Sequence, residues 1–241
     1  MNSRDRVDRL LVRRGLFESR AKAQAAIEAG LVIADDRLVR KASEELATDA
    51  VLRARSPHPY VSRGGIKLAA ALDHFRFDPR GQICLDVGAS TGGFTEVLCE
   101  RGARRVYAVD VGHGQLHESL RLRPEIISLE RTDIRDLGPL DHPPGLVTID
   151  VSFISLKIVL PAALAIAGPH AQVVALIKPQ FESGRAAVKK GIVRDALIHA
   201  QVCDDLAELT SRLGWRVLGV IPSPIEGGDG NAEFLLGALR G

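Results

Sequence analysis

Apolar residues recur at helical spacing near the start of the chain, where Val7, Leu10, Leu11 and Val12 form one stripe that Gly15 ends. Ser19 has the chemistry of a helix N-cap. It precedes Ala21, Ala23, Ala25, Ala26 and Ile27, and Gly30 closes this second helix. The segments Leu31–Ala34 and Arg37–Arg40 flank Asp35-Asp36 and predict a short β-hairpin. Ala50–Arg55 is a further strand candidate, and Ser56-Pro-His-Pro59 has the composition of a linker. Residues 1–59 therefore predict a helix-helix-hairpin domain with a small core, and residues 60–241 a second domain.

From residue 60 the pattern alternates between strands and helices. Strands are expected at Ile83–Val87, Val106–Val111, Ile126–Leu129, Leu146–Val151, Gln172–Ile177, Arg216–Ile221 and Glu233–Leu239. Helical patterns lie near 64–74, 92–101, 155–167 and 194–213. Alternating units with near-continuous apolar strands predict an α/β fold, its mostly parallel seven-stranded sheet covered on both faces.

Composition narrows the function classes. The 241 residues are 46% apolar and 26% charged, as in ordinary globular chains. The longest near-continuous apolar run, Ile158–Gly168, is far shorter than the roughly 18–20 residues that cross a bilayer. The charged start MNSRDRVDRLL lacks the apolar stretch of a secretory signal. Cys84, Cys99 and Cys203 form no CxxC pair, and an odd number suits reduced thiols, so a cytoplasmic location is expected. The net charge of +2 hides an asymmetry: residues 1–60 carry 12 Lys and Arg against 9 Asp and Glu. In residues 1–23, seven bases face three acids. Such a patch suits phosphate contact or a solvated helix face.

The segment Ile83-Cys-Leu-Asp-Val-Gly-Ala-Ser-Thr-Gly-Gly-Phe-Thr95 is a buried strand entering a glycine-rich turn and then a helix. Its G-x-x-x-G-G spacing differs from the G-x-G-x-x-G that cradles a dinucleotide pyrophosphate. Asp86 in this segment repels a diphosphate and favours a cationic ligand, and S-adenosylmethionine carries a sulfonium and an ammonium of that sign. Asp110 ends the next strand and suits a ribose diol, while Asp133 could meet an adenine amine. The candidate cofactor set is Asp86, Gly88, Ser90, Thr91, Gly92, Gly93, Phe94, Asp110, Asp133, Ile134 and Asp150.

Asp150 and Lys178 end adjacent apolar strands. Two charges at such an edge suggest chemistry, or else a structural ion pair capping the sheet. Lys67 starts a helix, and Glu233 opens the final strand. His113 and His117 lie four apart, but no third ligand accompanies them, so no metal site is expected. Trp215 and Phe181 are candidate packing residues, Phe181 also a neighbour of the substrate cleft.

Ser19-Arg20, Val61-Ser-Arg-Gly-Gly-Ile-Lys-Leu68, Asp86–Thr95, Asp150-Val-Ser-Phe-Ile-Ser155, Ile177-Lys-Pro-Gln-Phe-Glu182 and Gly230-Asn-Ala-Glu-Phe234 together carry a resemblance. The chain resembles the TlyA (hemolysin A) family, in which an S4 RNA-binding domain precedes an FtsJ/RrmJ-like ribose 2′-O-methyltransferase. The resemblance implies a Rossmann-like methyltransferase using S-adenosylmethionine, with a K-D-K-E tetrad on Lys67, Asp150, Lys178 and Glu233. Lys178 is the expected base, Asp150 positions it, and Lys67 and Glu233 orient the hydroxyl. The expected substrate is a ribose 2′-hydroxyl, a cytidine's, in 16S or 23S rRNA or both, and the expected partners are ribosomal RNA or ribosomal subunits. RNA contacts fall on Arg4, Arg6, Ser19, Arg20, Lys22 and Arg63. Asp35-Asp36 departs from the Asn-Gly or Asp-Gly common in S4 hairpins, so a different turn is expected. Two other readings stand beside the enzyme: a membrane-active hemolysin, and a non-catalytic RNA-binding or ribosome assembly factor.

Overall fold

Short elements with one buried stripe need partners to be stable, and the first 59 residues supply them to one another. The computed structural model describes all residues except 1–2, 18, 56–57, 185–186 and 228–229, so part of the expected linker lies outside the described residues. The chain divides into two compact units, residues 1–59 and 60–241. In the first, β1 (Arg4–Arg6) leads into α1 (Val7–Arg13), followed by α2 (Arg20–Glu28), β2 (Val32–Ala34), β3 (Arg37–Leu38), β4 (Glu45–Ala47) and β5 (Leu52–Ala54). Ser19 caps α2, its Oγ accepting from Lys22 N at 3.3 Å. The predicted stripe residues Val7, Leu10, Leu11, Ala23, Ala26 and Ile27 are buried against Val32, Ala34 and Val39.

Two features of this unit depart from the sequence reading. Arg4–Arg6 is a strand pairing antiparallel with β4, a two-stranded sheet that the charged pattern concealed. The Asp35-Asp36 turn also adopts the conformation usually taken by Asn-Gly, with both residues left-handed at φ 46° and 61°. Asp35 anchors the turn to the neighbouring strand, exchanging backbone and side-chain hydrogen bonds with Val51.

The second unit contains α3 (Gly64–Phe75), β6 (Ile83–Val87), α4 (Gly93–Glu100), β7 (Arg105–Asp110), α5 (Glu118–Arg121), β8 (Ile126–Glu130) and β9 (Leu146–Ile149). It continues with α6 (Leu156–Ala165), β10 (Gln172–Ile177), α7 (Pro179–Glu182), α8 (Ala196–Arg212), β11 (Trp215–Pro222) and β12 (Phe234–Arg240). The seven strands form one sheet in the order β11-β12-β10-β9-β6-β7-β8. Strands β10, β9, β6, β7 and β8 are parallel, whereas β12 runs antiparallel to both β10 and β11.

Side chains alternate between the two faces of this sheet. Val173, Ala175 and Ile177 of β10 pack with α6 and α8, while Val174 and Leu176 pack with α3 and α4. Trp215 is buried in the first of these clusters. His117, one of the two spaced histidines, caps α5 by accepting from Ser119 N at 3.2 Å.

Candidate active site

Strand order reverses between β6 and β9, and such a switch point opens a crevice at the carboxyl ends of parallel strands. The crevice here lies between Gly88 and Asp150. Gly88 has φ 84°, and a Cβ on it would sit 2.4 Å from the Asp150 carbonyl oxygen, so no side chain fits. The following loop is fixed by its own backbone. Gly88 and Ala89 both donate to Val109 O, at 2.8 and 3.1 Å. Asp110, ending β7, accepts from Ser90 N at 2.8 Å and Gly112 N at 2.7 Å.

Two cavities meet at this point. One, of about 360 Å³, is bordered by Gly88, Ser90, Asp110, Asp133, Ile134 and Asp150. The other, of about 300 Å³, is bordered by Arg63, Lys67, Thr91, Phe94, Asp150 and Lys178, with Gly93 also in its wall. Gly88, Ser90, Asp150 and Ser152 belong to both. The sheet edge thus holds two adjoining chambers separated only by the Gly88 turn and the Asp150 segment.

Two members of the sequence-derived cofactor set line neither chamber. Gly92 is the N-cap of α4, with φ 97°, and packs against Leu116 and Leu120. Asp86 is fully buried beneath the turn, accepting from Thr95 Oγ1 at 2.6 Å and Thr148 Oγ1 at 3.0 Å. Burial pushes its carboxyl up to about 7, against the threonine hydrogen bonds. Asp86 is therefore a strut joining β6, α4 and β9. Asp133 borders the larger chamber, but Arg135 grips its carboxylate through Nη2 at 2.6 Å and Nε at 3.0 Å and holds it down at about 2.

The four tetrad positions come together as two ion pairs. Lys178 Nζ lies 2.6 Å from Asp150 Oδ1, yet its well-directed hydrogen bond goes to Ser152 Oγ at 2.9 Å. Asp150 Oδ1 thus feels the lysine charge while lacking a hydrogen bond of ordinary geometry. Lys67 donates to Glu233, both buried, and Glu233 stands behind Lys67 outside the chamber wall. The antiparallel register Ile177↔Phe234 sets Glu233 beside the end of β10.

Three neighbours escaped the sequence reading. Ser152 holds Lys178. Glu182 accepts from Ser155 Oγ at 2.5 Å and Leu156 N at 2.7 Å, clamping the loop after β9 to α7, and burial raises its carboxyl pKa. Phe153 is held at φ 65°, is 92% exposed, and packs on Phe181 with ring centroids 5.1 Å apart. Ser152, Phe153 and Glu182 all sit inside motifs that carry the resemblance, a signal that could have marked them. Glu182 contacts partners 26 and 27 residues away, which no local spacing reveals.

The expected RNA contacts are placed less uniformly. Arg63 borders the smaller chamber. In the first unit, Arg6 and Arg20 converge with Gln24 on the buried Asp8, at 3.0, 2.7 and 2.9 Å. The arginines hold the Asp8 carboxyl far below its ordinary pKa, against the penalty of burial, which is the largest single influence. Arg4 donates to the Glu45 carbonyl at 2.7 Å. Ser19 and the Lys22 backbone are engaged in the α2 cap. Part of this basic patch therefore holds the fold together, with the Arg6 and Arg20 side chains still 37% and 48% exposed.

Comparison with known proteins identifies the relatives of this chain. The FtsJ-like methyltransferase family model matches residues 60–240 and the S4 domain model residues 5–52. The 16S/23S rRNA (cytidine-2′-O)-methyltransferase TlyA of Mycobacterium tuberculosis is 45% identical over 241 residues, covering 98% of this chain and 90% of that protein. Hemolysin A of Brachyspira hyodysenteriae is 36% identical, covering 95% of this chain and 98% of that protein. A solved structure from Streptococcus thermophilus superposes with a TM-score of 0.78 at 41% identity, covering all of this chain and 90% of the other. Among the described residues no helix is long and apolar enough to cross a membrane. The chain belongs to the FtsJ-like methyltransferase family, within its TlyA group, and carries an S4 domain ahead of the methyltransferase unit.

Proposed function

We propose that this protein transfers a methyl group from S-adenosylmethionine to the 2′-hydroxyl of a cytidine ribose in ribosomal RNA, as the name of the Mycobacterium tuberculosis relative describes for that enzyme. The shared wall of the two chambers carries this reading, because it sets a cofactor space and a lysine-lined substrate space on either side of Asp150. The residues fit the cofactor. Asp150 Oδ1 is a buried acceptor with bonding capacity to spare, and Asp110 presents a carboxylate beside apolar Ile134, Val87 and Val159. S-adenosylmethionine, when bound, supplies a methyl group activated by a sulfonium.

The chain's own residues do the rest. Asp110 would bind the ribose diol, and Asp150 would favour a positive charge beside it. Lys178, as the neutral amine left once its ammonium has released a proton to solvent, would take the proton that the RNA hydroxyl loses during attack, its Nζ aimed by Asp150 and Ser152. Lys67, braced by Glu233, would hold the hydroxyl in line and stabilise developing negative charge on its oxygen. Alignment of this kind contributes up to ~7–11 kcal/mol in well-oriented systems. The exposed Phe153, held at positive φ beside Phe181, offers a face on which an unstacked base could rest. The first unit and Arg63 would supply phosphate contacts.

Purified protein, labelled cofactor and either ribosomal subunits or naked rRNA provide the test. Methyl incorporation that maps to a cytidine 2′-oxygen is expected. Cofactor binding without methyl transfer to any rRNA or subunit would overturn the proposal.

A further inference from the structure

The chain from Lys189 to Arg194 contains a tight, hydrogen-bonded turn that the tetrad does not use. Lys189 and Ile192 exchange both backbone hydrogen bonds, Lys189 N to Ile192 O at 3.0 Å and Ile192 N to Lys189 O at 3.1 Å. The two residues between them, Lys190 and Gly191, are left-handed at φ 52° and 80°, as in a tight hairpin turn. A buried side chain braces it from below. Asn231 Nδ2 donates to Gly191 O at 2.9 Å, and Asn231 Oδ1 accepts from Val193 N at 3.2 Å. Asn231 lies two residues before Glu233, so two extended residues, spanning at most about 7 Å, separate this brace from the tetrad.

Lys189, Lys190 and Arg194 are exposed, and none of their side chains has a hydrogen-bond or ion-pair partner among the described residues. This sets them apart from Arg6 and Arg20, which share Asp8. Lys190 also occupies a left-handed position where glycine would be unstrained.

We propose that the Lys189–Arg194 turn is a phosphate clamp that grips the backbone of the substrate RNA beside the reactive ribose. This inference rests on the RNA methyltransferase reading and adds an interaction surface to it. A braced turn loses little freedom on binding, and three unpaired cations on a turn whose brace, Asn231, stands two residues before Glu233 suit the spaced charges of a nucleic-acid strand.

The full chain is the test material, in wild-type form, as Lys190→Gly, and as Lys189→Ala/Lys190→Gly/Arg194→Ala. Lys190→Gly removes a charge while easing the turn, so weakened binding by it cannot be ascribed to misfolding. Affinity for an rRNA transcript is read by fluorescence anisotropy across a salt series, and affinity for S-adenosylmethionine by calorimetry. The triple variant is expected to lose about tenfold in RNA affinity near 0.1 M salt, with the log–log salt slope smaller by about 2, and to keep its cofactor affinity. Unchanged RNA affinity and slope in a wild-type-active background would overturn the clamp alone. A wild-type chain that binds cofactor but neither binds nor methylates rRNA would remove the functional reading beneath it. Loss of binding to phosphatidylserine vesicles, with RNA affinity intact, would reassign the turn to a lipid surface.

Discussion

Asp8 in the first unit and Asp150 in the second are both acids held against cations, and their surroundings differ in one respect. Asp8 is fully buried and saturated: Arg6, Arg20, Gln24 and the Arg9 backbone all donate to it. Asp150 stays 22% exposed on its side chain, faces two chambers, and has an oxygen paired by charge alone. A buried ion cluster with every acceptor filled holds a small fold in one arrangement, whereas an under-bonded one at a cavity wall is ready to meet a ligand. Removing a member of the first should therefore cost stability, and removing a member of the second should cost activity.

The sharpest break of this contrast is Lys178→Ala. Methyl transfer should fall by roughly 10³–10⁴-fold, about 4–6 kcal/mol in barrier, while the denaturation midpoint moves little and cofactor affinity persists. A comparable loss of fold stability would place this pair in the same class as Asp8.

Asp86 tests the intermediate case, an acid buried without a cation. The unfolded carboxyl loses its proton near pH 4 and the folded one only near 7, so the native state binds more protons between those values. Wild-type stability should fall as pH rises from about 4 to 7, by up to ~4 kcal/mol in total. Asp86→Asn, which has no proton to lose, should lack that decline. Urea midpoints at pH 5 and 8 for both proteins decide it, and parallel pH profiles would refute the burial account.

Asp8→Asn should destabilise the first unit by about 3 kcal/mol at neutral pH, seen as faster amide exchange in α1 and α2. The Asp8 carboxyl is held low in the fold, so its contribution is complete above pH 4 and fades as pH falls below that. The gap between variant and wild type should narrow in acid. In the second unit, Glu182→Ala should lower kcat about tenfold, near 1.4 kcal/mol, with KM for the cofactor unchanged and partial recovery in Glu182→Gln. The smallest effect is Asp36→Gly, which should stabilise the hairpin turn by about 0.5–1 kcal/mol by relieving its left-handed strain, read as a small rise in Tm.

The legible parts of the sequence are those whose information is local. The apolar runs at Ile83–Val87 and Gln172–Ile177 match β6 and β10 to the residue, because a strand buried on both faces leaves no polar alternation to confuse it. The Gly15 and Gly30 stops and the Ser19 cap are equally local. Arg4–Arg6 looked like part of a charged helix face, since its strand character depends on Glu45–Ala47, some forty residues away. The Asp35-Asp36 turn was misread for a related reason: a long-range exchange with Val51 sustains a backbone shape that the two residues alone would not favour. At the site, acids and lysines at strand ends were visible as exceptions in apolar runs. The strut role of Asp86, the clamp by Glu182 and the brace by Asn231 were not, because each is defined by what it touches across the fold.

The reversed direction of β12 has a consequence for how the tetrad can exist at all. Lys178 follows the last residue of β10, and Glu233 precedes the first residue of β12. Were β12 to travel the same way as β10 in the same slot, that glutamate would emerge at the far rim of the sheet, roughly 20 Å from Lys67 for a six-residue strand. A single inverted strand thus recruits the chain's late residues to a rim that forward-running strands reach only with their ends, and Lys67 gains its counter-charge by topology rather than by any nearby loop.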